Sequence, residues 1–244
     1  MRNVWTIANR EYKLYFASPV AYMVAFFLLL ILGIIFYVNV AGAIVQQFPP
    51  NIQGVLGPLM TLLLFTTPAI TMRLLAEEQR LGTMELLLTA PVRDWELVVG
   101  KWLGGFLFLL TILAVTWLYP IFLNQMVDPG IDQGPLITGY LGVILFTASL
   151  VAIGVAVSSL FSNQIAVFFA TVGVYLLLWL ISLPSQASGS ATANELLRYL
   201  DFSDHFYNTF YQGIIDVSDV IYYLSLTALA LFLGSVSVES RRWR

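Results

Sequence analysis

The sequence predicts an all-α membrane protein with six transmembrane helices. The chain has 244 residues, of which 59% are hydrophobic and only 10% are charged, whereas roughly a quarter of the residues in soluble domains are charged. Apolar runs alternate with short polar segments, and each run supplies the ~20 residues needed to cross a bilayer core. Every Lys and Arg except Arg198 lies at one of the two ends of the chain or around a single loop.

The predicted spans cover residues 20–40, 52–72, 97–123, 136–160, 165–183 and 217–238. The first apolar run is longer than the ~7–15 residue core of a cleaved signal peptide, so it is interpreted as an uncleaved span. Basic residues collect on the cytoplasmic side of membrane proteins. Both termini and the loop 73–93 are therefore predicted to be cytoplasmic, in a bacterial cytoplasmic (inner) membrane.

The N-terminal segment, residues 1–18, is predicted to be an amphipathic helix lying in the membrane interface, in contact with lipid. Glu11 is the exception to its pattern, because this acid projects from the apolar face. An unpaired carboxylate in an apolar setting is costly. We therefore expect Glu11 to meet a cation, with Arg73 and Arg80 the nearest candidates, or else to reach water.

The polar segment between the second and third spans carries the most information. Gly82 interrupts the helix that leaves the second span, and Thr83 can cap a new short helix with Glu85 in its first turn. Pro91 ends that helix, since the residue before a proline is pushed out of the helical region. Residues 83–91 are thus predicted to present a short helix on the cytoplasmic side.

This short helix, Met84–Leu88, is apolar on more than one side through Leu86, Leu87 and Leu88. It could rest on lipid head groups, or it could dock into a partner protein. Farther along, residues 194–216 mix apolar and charged side chains. They are predicted to form one or two short amphipathic helices, broken near 201–204, as a re-entrant or interfacial segment before the last span.

Catalytic chemistry is not expected from this sequence. There is no cysteine, and the only histidine, His205, has no motif around it and is interpreted as interfacial or solvated. The predicted spans are nearly free of ionisable residues, with Lys101 near a cytoplasmic end, whereas ion-coupled carriers and intramembrane proteases usually need such groups. Trp95 stands where a phosphate-binding loop ending at Lys101 would need its first glycine. We expect no enzymatic activity, bound cofactor, metal or nucleic acid.

Gly100 and Gly104 form a small-xxx-small pattern that allows helices to approach closely. The pattern is common, and it fits either packing within the chain or a seam with a second subunit.

The stretch Glu77–Pro91, continuing to Gly100 and Lys101, resembles the cytoplasmic loop of type-2 ABC exporter permeases. The tail, with His205-Phe206, Gly213–Asp216, Asp219–Leu226 and the terminal Arg-Arg-Trp-Arg, resembles more narrowly the gliding-motility permease (GldF-like) branch. That branch is related to the permease of the nitrous-oxide-reductase copper-maturation system. The resemblance covers the whole chain in length and span layout.

The resemblance implies an N-terminal elbow helix, six spans, a coupling helix between spans two and three, and re-entrant helices before span six. Met84–Leu88 would be the coupling helix, seated in a cleft of an ATP-binding subunit. The residues expected to serve ATPase coupling are Glu77, Glu78, Arg80, Gly82, Thr83, Met84, Glu85, Leu86, Leu87, Leu88 and Pro91.

We therefore expect a permease subunit that couples ATP hydrolysis by a separate ATPase subunit to movement of a substrate across the membrane. Two ATPase copies, holding ATP and Mg²⁺, would act with two permeases. The second permease could be the same chain, or a different chain with an extracytoplasmic domain. The alternative is an ATPase-coupled anchor that transmits force to an extracytoplasmic machine without transporting. The apolar spans fit a lipid, a polypeptide or mechanical coupling alike.

Overall fold

The computed structural model describes residues 2–47, 49–83, 92–181 and 191–242, and within these ranges the chain is helical without any strand. A 3₁₀ turn, Phe210–Gln212, precedes the last helix. In chain order the helices are α1 Arg2–Phe16, α2 Pro19–Gln46, α3 Gln53–Thr71, α4 Ala76–Arg80, α5 Asp94–Thr116, α6 Leu118–Met126, α7 Gln133–Leu160, α8 Gln164–Leu180, α9 Ala191–Leu200, α10 Asp204–Tyr207 and α11 Val217–Arg242.

Five helical stretches are long and apolar enough to cross a membrane, and they coincide with five of the six predicted spans. They are Pro19–Gln46, Gln53–Arg80, Asp94–Met126, Gln133–Leu160 and Val217–Ser240. The protein is therefore a multi-pass membrane protein. The remaining predicted span, 165–183, corresponds to α8, which is apolar but only 17 residues long. That length is at the lower limit of about 17–25 residues for a spanning helix, so the sixth span stays a prediction.

Helix α7 is the centre of the bundle. It packs mainly against α11 and also contacts α3, α5 and α8, so almost every side of it is buried. Small residues allow this close packing. A Cβ atom placed on Gly154 would lie 2.2 Å from Thr71 Oγ1, a distance that real contacts do not reach, so α3 and α7 can approach this closely only with glycine at that position.

Helix α2 lies at the edge of the bundle, where it packs mainly against α3. Only a narrow stripe of it, Ala21, Leu28, Leu32 and Val40, is buried, while large apolar side chains such as Phe26 and Phe27 are exposed. An apolar helix of this length with an exposed surface is what a membrane-facing span requires.

Residues 191–216 fold into short helices. The break between α9 and α10 falls at residues 201–203, within the region where the sequence predicts it. Asp201 Oδ1 accepts hydrogen bonds from the backbone N–H of Ser203 at 2.9 Å and from its hydroxyl at 2.6 Å, which competes with continuation of the helix. The Thr138 hydroxyl donates to the Phe210 carbonyl at 2.7 Å and fixes the segment to α7.

Candidate functional site

Helix α1 lies lengthwise along the first half of α5, and the two helices run in the same direction. Near their beginnings, the Asn3 side-chain amide donates to Glu96 Oε2 at 3.1 Å. Farther along, the hydroxyls of Tyr12 and Thr111 are 3.0 Å apart. The contact is therefore extended, and it fixes α1 to the helix that follows the polar loop.

Gly100 and Gly104 form the seat for α1 on α5. A Cβ atom on Gly100 would lie 2.8 Å from the Cβ of Ile7, and one on Gly104 would lie 2.6 Å from the Cβ of Glu11. Both distances are too short for real contacts, so glycine allows the approach. Packing within the chain therefore accounts for this pair of glycines.

A buried ion cluster joins α1, α4 and α5. The ammonium nitrogen of Lys101 lies 3.1 Å from Glu11 Oε1 and 2.8 Å from Glu78 Oε1, and its side chain is only 2% exposed. Among the described residues, the second oxygen of Glu78 is buried without a hydrogen-bond partner. The Glu78 carboxylate and the Lys101 ammonium group connect the short helix before the polar loop to the long helix after it.

Glu11 thus meets a cation, but the expectation that this cation is Arg73 or Arg80 is wrong. Arg73 instead donates to the Ser18 hydroxyl at 2.5 Å and lies over the ring of Tyr15, with its guanidinium carbon 4.8 Å from the ring centre. Tyr15 in turn donates to the Ile70 carbonyl at 3.0 Å. Burial raises the pKa of Tyr15 far above its ordinary value, despite the nearby Arg73 charge, and keeps its hydroxyl a donor.

Helix α4 is also attached to the last turn of α7. The Ser158 hydroxyl accepts from the backbone N–H groups of Leu75 and Ala76, each at 3.1 Å. The Gln79 side-chain amide donates to the Ser159 carbonyl at 3.0 Å. These bonds satisfy amides at the start of a helix that have no partner within it, and they fix α4 in position.

A cleft of about 590 Å³ opens between α1, α4 and the first part of α5. Its charged lining is balanced in sign, and consists of Arg10, Glu11, Arg73, Glu77, Glu78 and Lys101. The cleft ends at Leu81 and Thr83, next in sequence to the polar loop.

The residues predicted for ATPase coupling fall in two groups. Glu77, Glu78 and Arg80 lie on α4, which ends as Gly82 adopts the left-handed conformation with φ of +71°. The Thr83 hydroxyl donates back to the Glu78 carbonyl at 3.3 Å. The rest of the predicted coupling helix, Met84, Glu85, Leu86, Leu87, Leu88 and Pro91, lies outside the described residues.

On the opposite side of the bundle the structure pairs His205 with Asp219. The His205 Nδ1 and the Asp219 Oδ1 are 2.6 Å apart, and both side chains are more than nine-tenths buried. The interpretation of His205 as solvated is therefore wrong, whereas its location at the membrane interface stays a prediction. The partner, Asp219, lies inside the predicted last span, and the sequence analysis does not connect it with His205. Its position in the first turn of α11, where the helix dipole favours an anion, was the available signal.

Helix α1 is packed on a bundle that contains five helices long and apolar enough to span a membrane. These features define an integral membrane protein with a buried charge cluster beside one polar loop. Residues 45–233 match the family described as ABC-2 family transporter protein, which covers most of the chain. The chain therefore belongs to this ABC-2 transporter family. Among individually curated proteins, none matches the sequence significantly.

Proposed function

We propose that this chain is the permease subunit of an ABC exporter, in which a separate ATPase subunit binds and hydrolyses ATP. Its membership of the ABC-2 transporter family supports a permease component. The observation that carries the coupling role is the buried ion cluster. Through Lys101 it joins α4, which leads into residues 84–91, to both α1 and α5.

The connection from the proposed coupling helix to the bundle is short. Only Leu81, Gly82 and Thr83 separate the end of α4 from Met84. Helix α4 is attached at two places, by Glu78 to Lys101 on α5 and by the Ser158 hydroxyl to the last turn of α7. Because packed helices shift between discrete arrangements rather than deform continuously, a displacement of residues 84–91 would be passed to α5 and α7 together.

The proposed seat for the ATPase combines an apolar centre with polar neighbours. Leu86, Leu87 and Leu88 supply the centre, and Glu77 and Arg80 supply charged contacts beside it. Interfaces of this type rely on a few buried apolar anchors, surrounded by polar residues at the rim. Two ATPase copies and two permease subunits would complete the transporter in the inner membrane. As part of this proposal we assign the chain to the gliding-motility permease branch, on the resemblance of its C-terminal tail.

The test is co-purification of the ATPase with a tagged chain from its own membranes. Leu87→Asp should keep membrane insertion, because residue 87 lies outside the predicted spans, but should lose the ATPase. Truncating an interface anchor costs ~2 kcal/mol or more, and a buried unpaired carboxylate is no milder, so at least about a 30-fold loss of affinity is expected. Leu87→Met, which conserves volume and apolarity, is the matched control and should retain the ATPase.

If Leu87→Asp co-purifies with as much ATPase as Leu87→Met does, residues 84–88 do not dock into the ATPase. The alternative, that this segment rests on lipid head groups, would then be the correct one. ATP hydrolysis is expected only in preparations that contain the ATPase subunit. Turnover by the isolated chain would contradict the division of labour between the two subunits.

A further inference from the structure

His205 is held between two hydrogen-bond acceptors. Its Nδ1 lies 2.6 Å from Asp219 Oδ1 on α11, and its Nε2 lies 2.8 Å from the backbone carbonyl oxygen of Tyr199 on α9. The ring of Tyr222 is stacked on the imidazole with the ring centres 3.9 Å apart. One buried side chain thus connects the helix before the 201–203 break to the last helix of the bundle.

The two contacts fix the number of protons shared by the ring and the Asp219 carboxyl group. A backbone carbonyl can only accept, so Nε2 must carry a hydrogen, and an ionised carboxylate can only accept, so Nδ1 must carry one as well. A neutral imidazole has a single N–H and cannot donate both bonds. The geometry therefore requires one proton between Nδ1 and Oδ1, carried either by the ring, as an imidazolium paired with the Asp219 carboxylate, or by Asp219, as a carboxylic acid that donates to a neutral imidazole.

One contact of the ring favours the imidazolium form, although Asp219 Oδ2 is buried without a hydrogen-bond partner among the described residues. The imidazolium lies on the electron-rich face of Tyr222, which attracts a cation, and the pair is electrically neutral overall. The other ionisable side chains on the elements packed around His205 are Glu195, Arg198 and Tyr199 on α9, Asp201 before α10, Asp204 and Tyr207 on α10, Tyr211 on the 3₁₀ turn, Tyr222 and Tyr223 in the first two turns of α11, and Tyr140 on α7.

These neighbours have other partners or face outward. Asp204 Oδ1 accepts from the Asn208 side-chain amide at 2.7 Å, and Asp201 Oδ1 accepts from Ser203. The hydroxyls of Tyr222 and Tyr223 donate to backbone carbonyls at 3.0 and 2.6 Å. Among this set of described side chains, Arg198 is the one cation besides the imidazolium, and it is exposed. Asp219 is therefore the anion that holds the proton on His205.

We propose that His205 and Asp219 form a proton-binding site that fastens α9 to α11. With the proton bound, the imidazolium makes both hydrogen bonds and the segment 199–205 is clamped to the last helix. When the proton leaves, the imidazole keeps a single N–H and one of the two bonds is lost. This site lies apart from the ion cluster of Lys101, and the inference does not depend on the proposed transport function.

The direction of the pH effect follows from this count of protons. The clamp is complete while the site holds its proton at lower pH, and it opens as pH rises and the proton dissociates. Asp219→Asn provides a decisive comparison. The asparagine amide can donate to an unprotonated Nδ1 while Nε2–H still donates to Tyr199, so this variant should stay clamped without the extra proton.

Nitrogen NMR of the full chain in lipid nanodiscs tests the proton count directly, because His205 is the single histidine and histidine-selective ¹⁵N labelling gives one residue. At about pH 8, where a solvated histidine is neutral, both ring nitrogens should show protonated shifts in the wild type. In Asp219→Asn only Nε2 should be protonated. An unprotonated Nδ1 in the wild type at that pH would overturn the proposal.

The clamp itself is measured by the distance between two spin labels, on Glu195→Cys and Val217→Cys, in a chain that has no other cysteine. The wild-type distance distribution should broaden over the same pH range in which Nδ1 loses its proton. It should stay narrow throughout in Asp219→Asn and be broad throughout in His205→Phe. The proposal would be wrong if the distance distribution in Asp219→Asn were broad. It would also be wrong if the wild-type distribution broadened in a pH range different from the one in which Nδ1 loses its proton.

Discussion

The ammonium nitrogen of Lys101 lies 2.8 Å from the Glu78 Oε1, and the Lys101 side chain is 2% exposed. The pair spans two elements that the chain separates by the polar loop, because Glu78 is on α4 and Lys101 on α5. A buried pair of this kind adds little net stability over apolar residues of the same size, yet the loss of one partner leaves a costly unpaired charge. The Glu78–Lys101 pair therefore serves mainly to fix the position of α4 relative to α5.

The first prediction concerns the ion cluster. Lys101→Met should lower the free energy of unfolding by ~3–5 kcal/mol, because the carboxylates of Glu11 and Glu78 then lose their buried cation. The triple variant Glu11→Gln, Glu78→Gln, Lys101→Met removes all three charges and should recover most of that loss. Unfolding by titration with SDS in mixed micelles measures both variants. Equal destabilisation in the single and triple variants would show that packing rather than charge dominates at this site.

The second prediction concerns the seat of α1. Gly104→Ala puts a methyl group 2.6 Å from the Cβ of Glu11, so α1 must move away from α5, at a cost of about 1–3 kcal/mol. Gly173→Ala on α8 is the matched control, because nothing lies within 4 Å of its added carbon. It should be neutral or slightly stabilising, since alanine favours helix. Thermal unfolding in detergent distinguishes them, and equal melting temperatures would contradict the close approach of α1 to α5.

The third prediction concerns the attachment of α4. Ser158→Ala removes the acceptor of the Leu75 and Ala76 amides and should cost about 1–3 kcal/mol, with faster hydrogen exchange at those amides. Ser149→Ala on the same helix is the control. The Ser149 hydroxyl donates only to carbonyls of its own helix, so its loss should leave exchange at α4 unchanged. Unaltered protection of residues 75 and 76 in Ser158→Ala would show that α4 has another anchor.

The fourth prediction concerns topology. Single cysteines are unique in this chain, which has none of its own. Thr83→Cys should react with a membrane-impermeant reagent only from the cytoplasmic side and Gln133→Cys only from the outside, as the distribution of basic residues requires. A label at Glu195→Cys, which follows α8, should react only from the outside if α8 crosses the membrane and only from the cytoplasmic side if it does not, and this decides the sixth span. Outside reactivity at Thr83 would exclude any ATPase contact there.

Composition and periodicity were sufficient to predict the spanning helices and the break near 201–204, because these depend on local properties of the chain. Apolar runs select membrane helices, and Asp201 competes locally for backbone amides. Five spans and the split between α9 and α10 follow from such signals alone. Residues 84–91 are outside the described part of the chain, so the coupling helix stays a prediction.

The partners of buried charges could not be predicted in the same way. Glu11 was expected to meet a cation, but nearness in predicted topology pointed to arginines, whereas the Gly100–Gly104 seat selects Lys101. His205 and Asp219 are 14 residues apart in sequence, and no local pattern marks them as a pair. Such pairings depend on how helices pack in three dimensions, which a periodicity does not encode.

The seat of α1 also constrains how the chain is made. Glu11 precedes its cation Lys101 by 90 residues, so on the ribosome α1 is complete long before α5 exists. At synthesis rates of about 5–20 residues per second, α1 waits roughly 5–18 seconds with an unpaired acid on its apolar face. During that interval the membrane surface is the one place where both of its faces are accommodated. Helix α1 therefore cannot dock on α5 until some 90 further residues have been synthesised.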